Sequence, residues 1–199
     1  MVDHTLEQCV PVSDVTVVTV SYRANMFYSH FTRFWPSVVI KHEAFLLNTG
    51  GSVKHQIPYL ATLQPTAVMV LAADHIRDAN LADALRRHQQ QEHDVTVITS
   101  SPAAEHNQII LENGLATGYT PIGTPARDDA ESSTGEYVFS WPVLASWVSG
   151  ISVDVIGLGD GIIAPMIASR AFRIGTFRLR QWIDLGTPER LNEHAQRDR

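Results

Sequence analysis

The sequence predicts an α/β fold with a mainly parallel sheet covered on both faces and an antiparallel piece added in its second half. Three observations carry this. Short β-branched runs alternate with longer segments of helical periodicity through the first hundred residues, the signature of βαβ units. An Asn-Gly pair at 113–114 lies between two extended runs, which marks a hairpin. Hydrophobic residues make up 44% and charged residues 18% of the 199, an ordinary globular composition with enough apolar mass for one compact domain spanning 1–199.

The elements follow in order. "DVTVVTVSY" reads as a buried strand. "RANMFYSHFTRFW" sets Met26, Phe27, His30, Phe31 and Phe34 at helical spacing, and Pro36 stops that helix. "SVVIKH" is a second strand. "SVKHQIPYLATL" is a helix that Pro58 should shorten or kink. "TAVMVLAAD" is a third strand, "NLADALRRHQQQ" a helix with Leu81 and Leu85 inward, and "DVTVITSS" a fourth strand. Beyond the hairpin, "GTPARDDAESSTG" is polar and predicts an exposed loop. "EYVFSWPVLASWV" runs from strand into a helix at Pro142, "GIIAPMIASR" is helical, and "AFRIGTFRLRQWID" is a long strand or hairpin. The final helix has Pro188 in its first turn.

Charge and cysteine content narrow the function classes. A net charge of -6 and an isoelectric point near 5.8 argue against bulk electrostatic binding of nucleic acid or anionic lipid, so any phosphate must be held locally. Cys9 stands alone, without a disulfide partner, and reads as a small buried hydrophobe. The amino end lacks signal-peptide character and no apolar run approaches membrane-spanning length; the expectation is a cytoplasmic protein without membrane partners. The nine histidines show no metal spacing, and exposed polar positions are expected for most. Ser140 lies in no nucleophile elbow.

Three features could carry chemistry. Asp74 ends the third strand, and carboxyl ends of strands line the ligand crevice of an open α/β sheet; a carboxylate there suits Mg2+, although a turn cap is the competing role. Asp184, between a strand and the Gly186-Thr187-Pro188 turn, poses the same pair of choices. Together two such acids match the needs of one Mg2+ on a nucleotide. Gly50-Gly51 in "LLNTGGSV" allows close backbone approach to a ligand at a helix start, or simply a tight turn.

In order along the chain, these pieces resemble the sugar-1-phosphate nucleotidylyltransferases, which join a nucleoside monophosphate from an NTP to a sugar 1-phosphate and release pyrophosphate. "LLNTGGSVKHQIPYL" is similar to the family's Leu-Gly-Thr-(Ala/Gly)-Gly-(Ala/Ser) segment. "VMVLAAD" resembles the strand ending in Asn-Gly-Asp, "STGEYVFSWPVL" the Asn/Thr-Gly-Ile-Tyr-Val-Phe strand, and "QWIDLGTPERL" the Trp-x-Asp-Ile-Gly-Thr-Pro-Glu signature of the mannose- and heptose-phosphate guanylyltransferase type. The resemblance implies a Rossmann-like mixed sheet of the nucleotide-diphospho-sugar transferase type. It implies Mg2+ on Asp74 and Asp184, a nucleotide at Asn48, Thr49, Gly50 and Gly51, a sugar beside Gly135, and no protein nucleophile.

Departures from the pattern qualify this expectation. The family's Gly-rich triphosphate loop and its Pro-Lys pair have no counterpart, so the first βα unit is expected to be missing and two strands to have unpaired edges. "YTPIGTP" stands where Glu-Lys-Pro usually meets the sugar phosphate. Asn48 replaces a glycine and Ala73 precedes Asp74 where glycine is usual. A non-catalytic, degenerate or truncated subunit that binds a nucleotide sugar or serves regulation is the alternative, and a homo-oligomer or a partner chain that completes the sheet is left open.

Overall fold

The computed structural model describes residues 1–78 and 80–197. The described residues form seven helices and ten strands: α1 (Val2–Cys9), β1 (Val17–Val20), α2 (Ala24–Phe34), β2 (Val39–His42), α3 (Asn48–Leu63), β3 (Ala67–Val70), β4 (His75–Arg77), α4 (Leu81–Gln90), β5 (Val95–Ser100), β6 (Gln108–Glu112), β7 (Leu115–Thr120), β8 (Ala130–Ser140), α5 (Trp141–Ser149), α6 (Ala164–Ser169), β9 (Ile174–Arg178), β10 (Trp182–Asp184) and α7 (Pro188–Arg197). No described helix is long and apolar enough to cross a membrane.

The main sheet has six strands in the order β3-β8-β5-β9-β7-β6. It is mixed: β5 and β9 run parallel, while β8 is antiparallel to β3, β5 and β6. The long β8 holds the sheet together, since its carboxyl half lies between β3 and β5 and its amino half turns to β6. That change of partner needs a bulge. The register against β5 slips between Ile98 and Thr99, and Gly135 fills the bulge at φ +79°, a conformation that L side chains resist. The Asn113-Gly114 hairpin forms as expected, with both residues at positive φ.

β1 and β2 pair in parallel as a separate two-stranded sheet. Among the described residues β1 bonds only β2 and β3 bonds only β8, so the two unpaired edges expected from the sequence are present. α1 and the 3-10 turn after it span this break: Leu6 and Cys9 belong to one apolar cluster with Val18 and Val20, while Cys9 and Val12 pack against a second, formed by Leu81, Ile98 and Leu179, which Met69 and Leu71 also join. Cys9 is half-buried, and burial pushes its thiol pKa up.

Several sequence expectations shift. α2 buries only Ala24 and Phe31; Met26 and Phe34 stay exposed because no layer covers that face. α3 begins at Asn48, so the Gly-Gly pair lies inside its first turn. It also runs through Pro58, because Val53 and Ile57 pack into the main core and offset the lost backbone bond. The expected loop ends early: residues from Ala130 belong to β8, where Ser132, Ser133 and Thr134 are buried. The chain from 171 to 184 divides between two sheets, β9 parallel to β5 and β10 antiparallel to β4. A π turn over Gly159–Ile163 leads into α6, whose Pro165 brings no N-H to that turn.

Histidine placement also corrects the expectation. Only His42 and His55 are exposed, whereas His75, His88 and His93 are buried. His88 and His93 share Thr96 Oγ1 at 3.0 Å each, and His88 Nε2 lies 3.2 Å from Ser140 Oγ, which itself donates to the His93 carbonyl at 2.8 Å. Because the Ser140 proton is used there, His88 Nε2-H donates to Ser140, Thr96 donates to His88 Nδ1, and His93 Nδ1-H donates to Thr96. Every proton is used once when both rings are neutral. Burial pushes the His93 pKa down to about 4 and lowers that of His88 as well.

This cluster can be tested in two ways. The unfolded chain protonates His93 near pH 6.5 and the folded chain only near 4, so its contribution to stability is complete above 6.5 and fades as pH falls toward 4. The thermal midpoint should fall over that interval, and His93→Gln should flatten the slope. A Cβ on Gly175 would overlap the His93 ring at Cε1, and the ring cannot retreat without losing Thr96. Gly175→Ala should therefore cost about 1–3 kcal/mol in urea unfolding.

Candidate functional site

The site begins with a buried ion pair. Arg77 on β4 and Glu136 on β8 have no side-chain exposure; Nη2 meets Oε1 at 2.5 Å and Nε meets Oε2 at 3.1 Å. Both groups spend their remaining capacity on one turn. The Ala72 N-H donates to Glu136 at 3.1 Å and the Ala72 carbonyl accepts from Arg77 at 2.9 Å. α1 joins through Gln8, which exchanges bonds with the Arg77 side chain and carbonyl, and through Thr5, whose hydroxyl donates to the Ala72 carbonyl. This network fixes the turn between β3 and β4 that carries Asp74.

β4 then recruits β10. Their antiparallel register sets Asp184 opposite His75 and Trp182 opposite Arg77, and the Leu185 N-H closes the ladder on the Asp74 carbonyl at 3.0 Å. Two acids 110 positions apart in sequence thereby meet. The point where a Cβ on Gly186 would stand is 2.9 Å from Asp184 Oδ1 and 2.9 Å from Asp74 Oδ2, so both carboxylates close on the glycine backbone, an approach that a side chain at 186 would block.

Each acid has defined neighbours. Asp184 Oδ1 accepts the Gly186 N-H at 2.8 Å, and its Oδ2 is ion-paired with Arg190 from the first turn of α7. Burial raises the Asp184 pKa, but the Gly186 N-H and the charges of Arg190 and His75 outweigh it, so the carboxyl stays below its ordinary range. Asp74 is half-exposed, with His75 Nε2 at 3.8 Å from its Oδ1. His75 Nδ1 lies 3.3 Å from Glu136 Oε1 without hydrogen-bonding geometry. The Trp182 ring stands edge-on to both His75 and His106, at centroid distances of 5.1 and 4.7 Å. Burial holds the His106 pKa low against the opposing pull of Glu105.

The other sequence candidates divide. Gly135 is exposed in the β8 bulge with nothing within 4 Å of a Cβ, directly before Glu136 and therefore beside the Asp74 turn. Asn48, Thr49, Gly50 and Gly51 form the first turn of α3, and Asn48 takes φ +58°, the left-handed angle its replacement of glycine requires. That turn is held by the chain itself: the Ile156 carbonyl accepts from the Gly50 and Gly51 N-H groups at 2.9 and 3.0 Å, and Leu158 N-H donates to Thr49 Oγ1. A Cβ on Gly51 would overlap the Asp154 carbonyl, so the glycine permits this backbone contact. No hydrogen bond or ion pair among the described residues joins this turn to the aspartates.

Sequence reasoning missed Arg77, Glu136, His75, His106 and Arg190. One signal was available: Glu136 interrupts the apolar run Tyr137-Val138-Phe139 from its amino side, and a charge beside a buried strand needs a partner. Arg77→Met would strand Glu136 without a countercharge and should cost about 3–5 kcal/mol in urea unfolding; adding Glu136→Leu should recover much of the loss.

The profile described as nucleotidyl transferase matches residues 1–117. The chain is similar to the glucose-1-phosphate adenylyltransferase of Clostridium perfringens (strain SM101 / Type A), 26% identical over 152 residues, which are 73% of this chain and 39% of that protein. The corresponding enzyme of Clostridium kluyveri is 24% identical over 152 residues, 73% of this chain and 40% of that one. The matched stretch thus spans about two-fifths of these relatives. Among solved structures, HddC from Yersinia pseudotuberculosis complexed with GMP-PN superposes with a TM-score of 0.74 at 14% identity, covering 99% of this chain and 83% of that one. Mannose-1-phosphate geranyltransferase from Thermus thermophilus gives 0.72 at 17% identity, covering 93% and 66%.

Proposed function

We propose, since the chain belongs to the nucleotidyl transferase family, that it transfers a nucleoside monophosphate from an NTP to a sugar 1-phosphate and releases pyrophosphate. The fold is the Rossmann-like mixed α/β type of its structural neighbours. One observation carries the reading: the β4–β10 ladder brings Asp74 and Asp184 to either side of Gly186. Two carboxylates converging on one backbone position fit a hard divalent cation, and Asp74 and Asp184 would hold Mg2+ in this reading. When bound, the metal offsets negative charge on phosphate oxygens.

The chain's own groups divide the remaining tasks. A sugar phosphate oxygen attacks the α-phosphorus, the bond to the β-phosphate breaks, and pyrophosphate carries away the charge; no protein nucleophile takes part. Positioning is therefore the main requirement. Gly135 leaves room for a sugar to approach the backbone at the end of β3. Asn48, Thr49, Gly50 and Gly51 form the nucleotide segment. Since Ile156 already takes both glycine N-H groups, that segment would meet a base or ribose through Asn48, through the proton of the Thr49 hydroxyl, and through the bare glycine surface.

The test is pyrophosphate release with a panel of NTPs and sugar 1-phosphates in Mg2+. Turnover should require the metal and fall about 100-fold or more in Asp74→Asn and in Asp184→Asn, matching the several kcal/mol that such charge stabilisation supplies. Thermal midpoints of both variants should stay near the parent value. Undiminished turnover in the two variants would sink the reading, and a large stability loss in Asp184→Asn would assign that residue to capping Gly186.

A further inference from the structure

Asp184 already has a cation. Arg190 reaches it from the first turn of α7, and its backbone N-H is anchored 3.3 Å from Thr187 Oγ1, so the guanidinium hangs over the carboxylate from a fixed base. α7 is otherwise exposed: of its described side chains only those of Arg190 and His194 are half-buried. Asp184 is the only carboxylate paired with Arg190 among the described residues, and the Arg190 side chain keeps 40% of its exposure. The link is a surface contact that can break without repacking a core.

The two carboxylates differ in this respect. Among the described residues Asp74 has only His75 Nε2, 3.8 Å from its Oδ1, and its Oδ2 approaches Gly186 with no ion-pair partner, whereas Asp184 Oδ2 is held by Arg190. A divalent cation entering between them would meet Asp184 at Oδ1, compete with the guanidinium on Oδ2 for the charge of that one carboxylate, and repel it. A guanidinium driven off Asp184 stays tethered at the rim of that space, where its planar fork of donors matches the oxygens of a phosphate.

We propose that Arg190 is the resident countercharge of Asp184, that a divalent metal displaces it, and that the displaced guanidinium then binds the phosphate oxygens brought by the nucleotide. This rests on the assignment of Asp74 and Asp184 to the metal. The chain's acidic balance gives the exchange a purpose, because a chain of net charge -6 must provide phosphate-binding cations locally. The swap supplies one at the moment the metal arrives and neutralises Asp184 until then.

The experiment measures Mn2+ binding by electron paramagnetic resonance without nucleotide, and then binding of inorganic pyrophosphate by equilibrium dialysis at saturating Mn2+. In Arg190→Gln, Mn2+ should bind roughly two- to fivefold more tightly, the worth of a partly exposed ion pair. Pyrophosphate should bind about tenfold more weakly to the same variant, the loss of one charge-assisted contact. Arg190→Lys should restore part of the pyrophosphate affinity. Unchanged or weaker Mn2+ binding in Arg190→Gln overturns the exchange, and unchanged pyrophosphate binding overturns the second role. If Asp184→Asn abolishes Mn2+ binding while Arg190→Gln leaves it untouched, the metal assignment stands and this inference falls. Mn2+ binding that ignores both aspartates removes the metal assignment and the exchange together.

Discussion

The Arg77–Glu136 pair is the contact on which the site depends. Two charges without side-chain exposure are tolerable only when each is neutralised and every donor and acceptor is used, and here the surplus capacity is spent on the Ala72 N-H and carbonyl and on Gln8. The pair ties β8 of the main sheet to β4, closes the turn bearing Asp74, and seats α1 against both. β4 in turn is the template for β10, which delivers Asp184. Remove the pair, and the carboxylates lose their common frame before any ligand is involved.

Backbone proximity is the second constraint, and glycines meet it in two distinct ways. Gly135 leaves open space beside the Asp74 turn, whereas Gly51, Gly175 and Gly186 let parts of the chain approach that a methyl group would separate. The difference matters for the α3 turn. Its Gly-Gly pair looks in sequence like a ligand cradle, yet the nearest backbone is the chain's own segment at 154–157, and the Ile156 carbonyl uses the donors that a helix start would otherwise offer to a ligand.

The break between β1–β2 and the six-stranded sheet shows how local order survives an interrupted sheet. α1 and the following turn reach both sides, with Cys9 shared between two apolar clusters, so the smaller sheet is fixed by side-chain packing where ladder bonds end. The uncovered face of α2 belongs to the same region. Apolar periodicity predicted that helix correctly but could not say which of its aromatic residues finds a neighbour, because the periodicity reports a face and not the layer opposite it.

The sequence by itself determined the α/β class, the order of most elements, the Asn113-Gly114 hairpin, the unpaired edges, and Asp74 and Asp184 as a pair worth testing. The unpaired edges follow from the family resemblance; the others rest on local periodicity, turn chemistry or short motifs. Tertiary structure alone decided that β10 leaves β9 to join β4, that β8 runs for eleven residues and bends at Gly135, that His88 and His93 are buried around one threonine, and that Glu136 meets Arg77. Each depends on partners 3 to 109 positions away, and for the distant ones local propensity is silent: a short polar-looking stretch becomes a strand only when an edge is there to receive it, and a buried charge becomes legible only when its countercharge is in place.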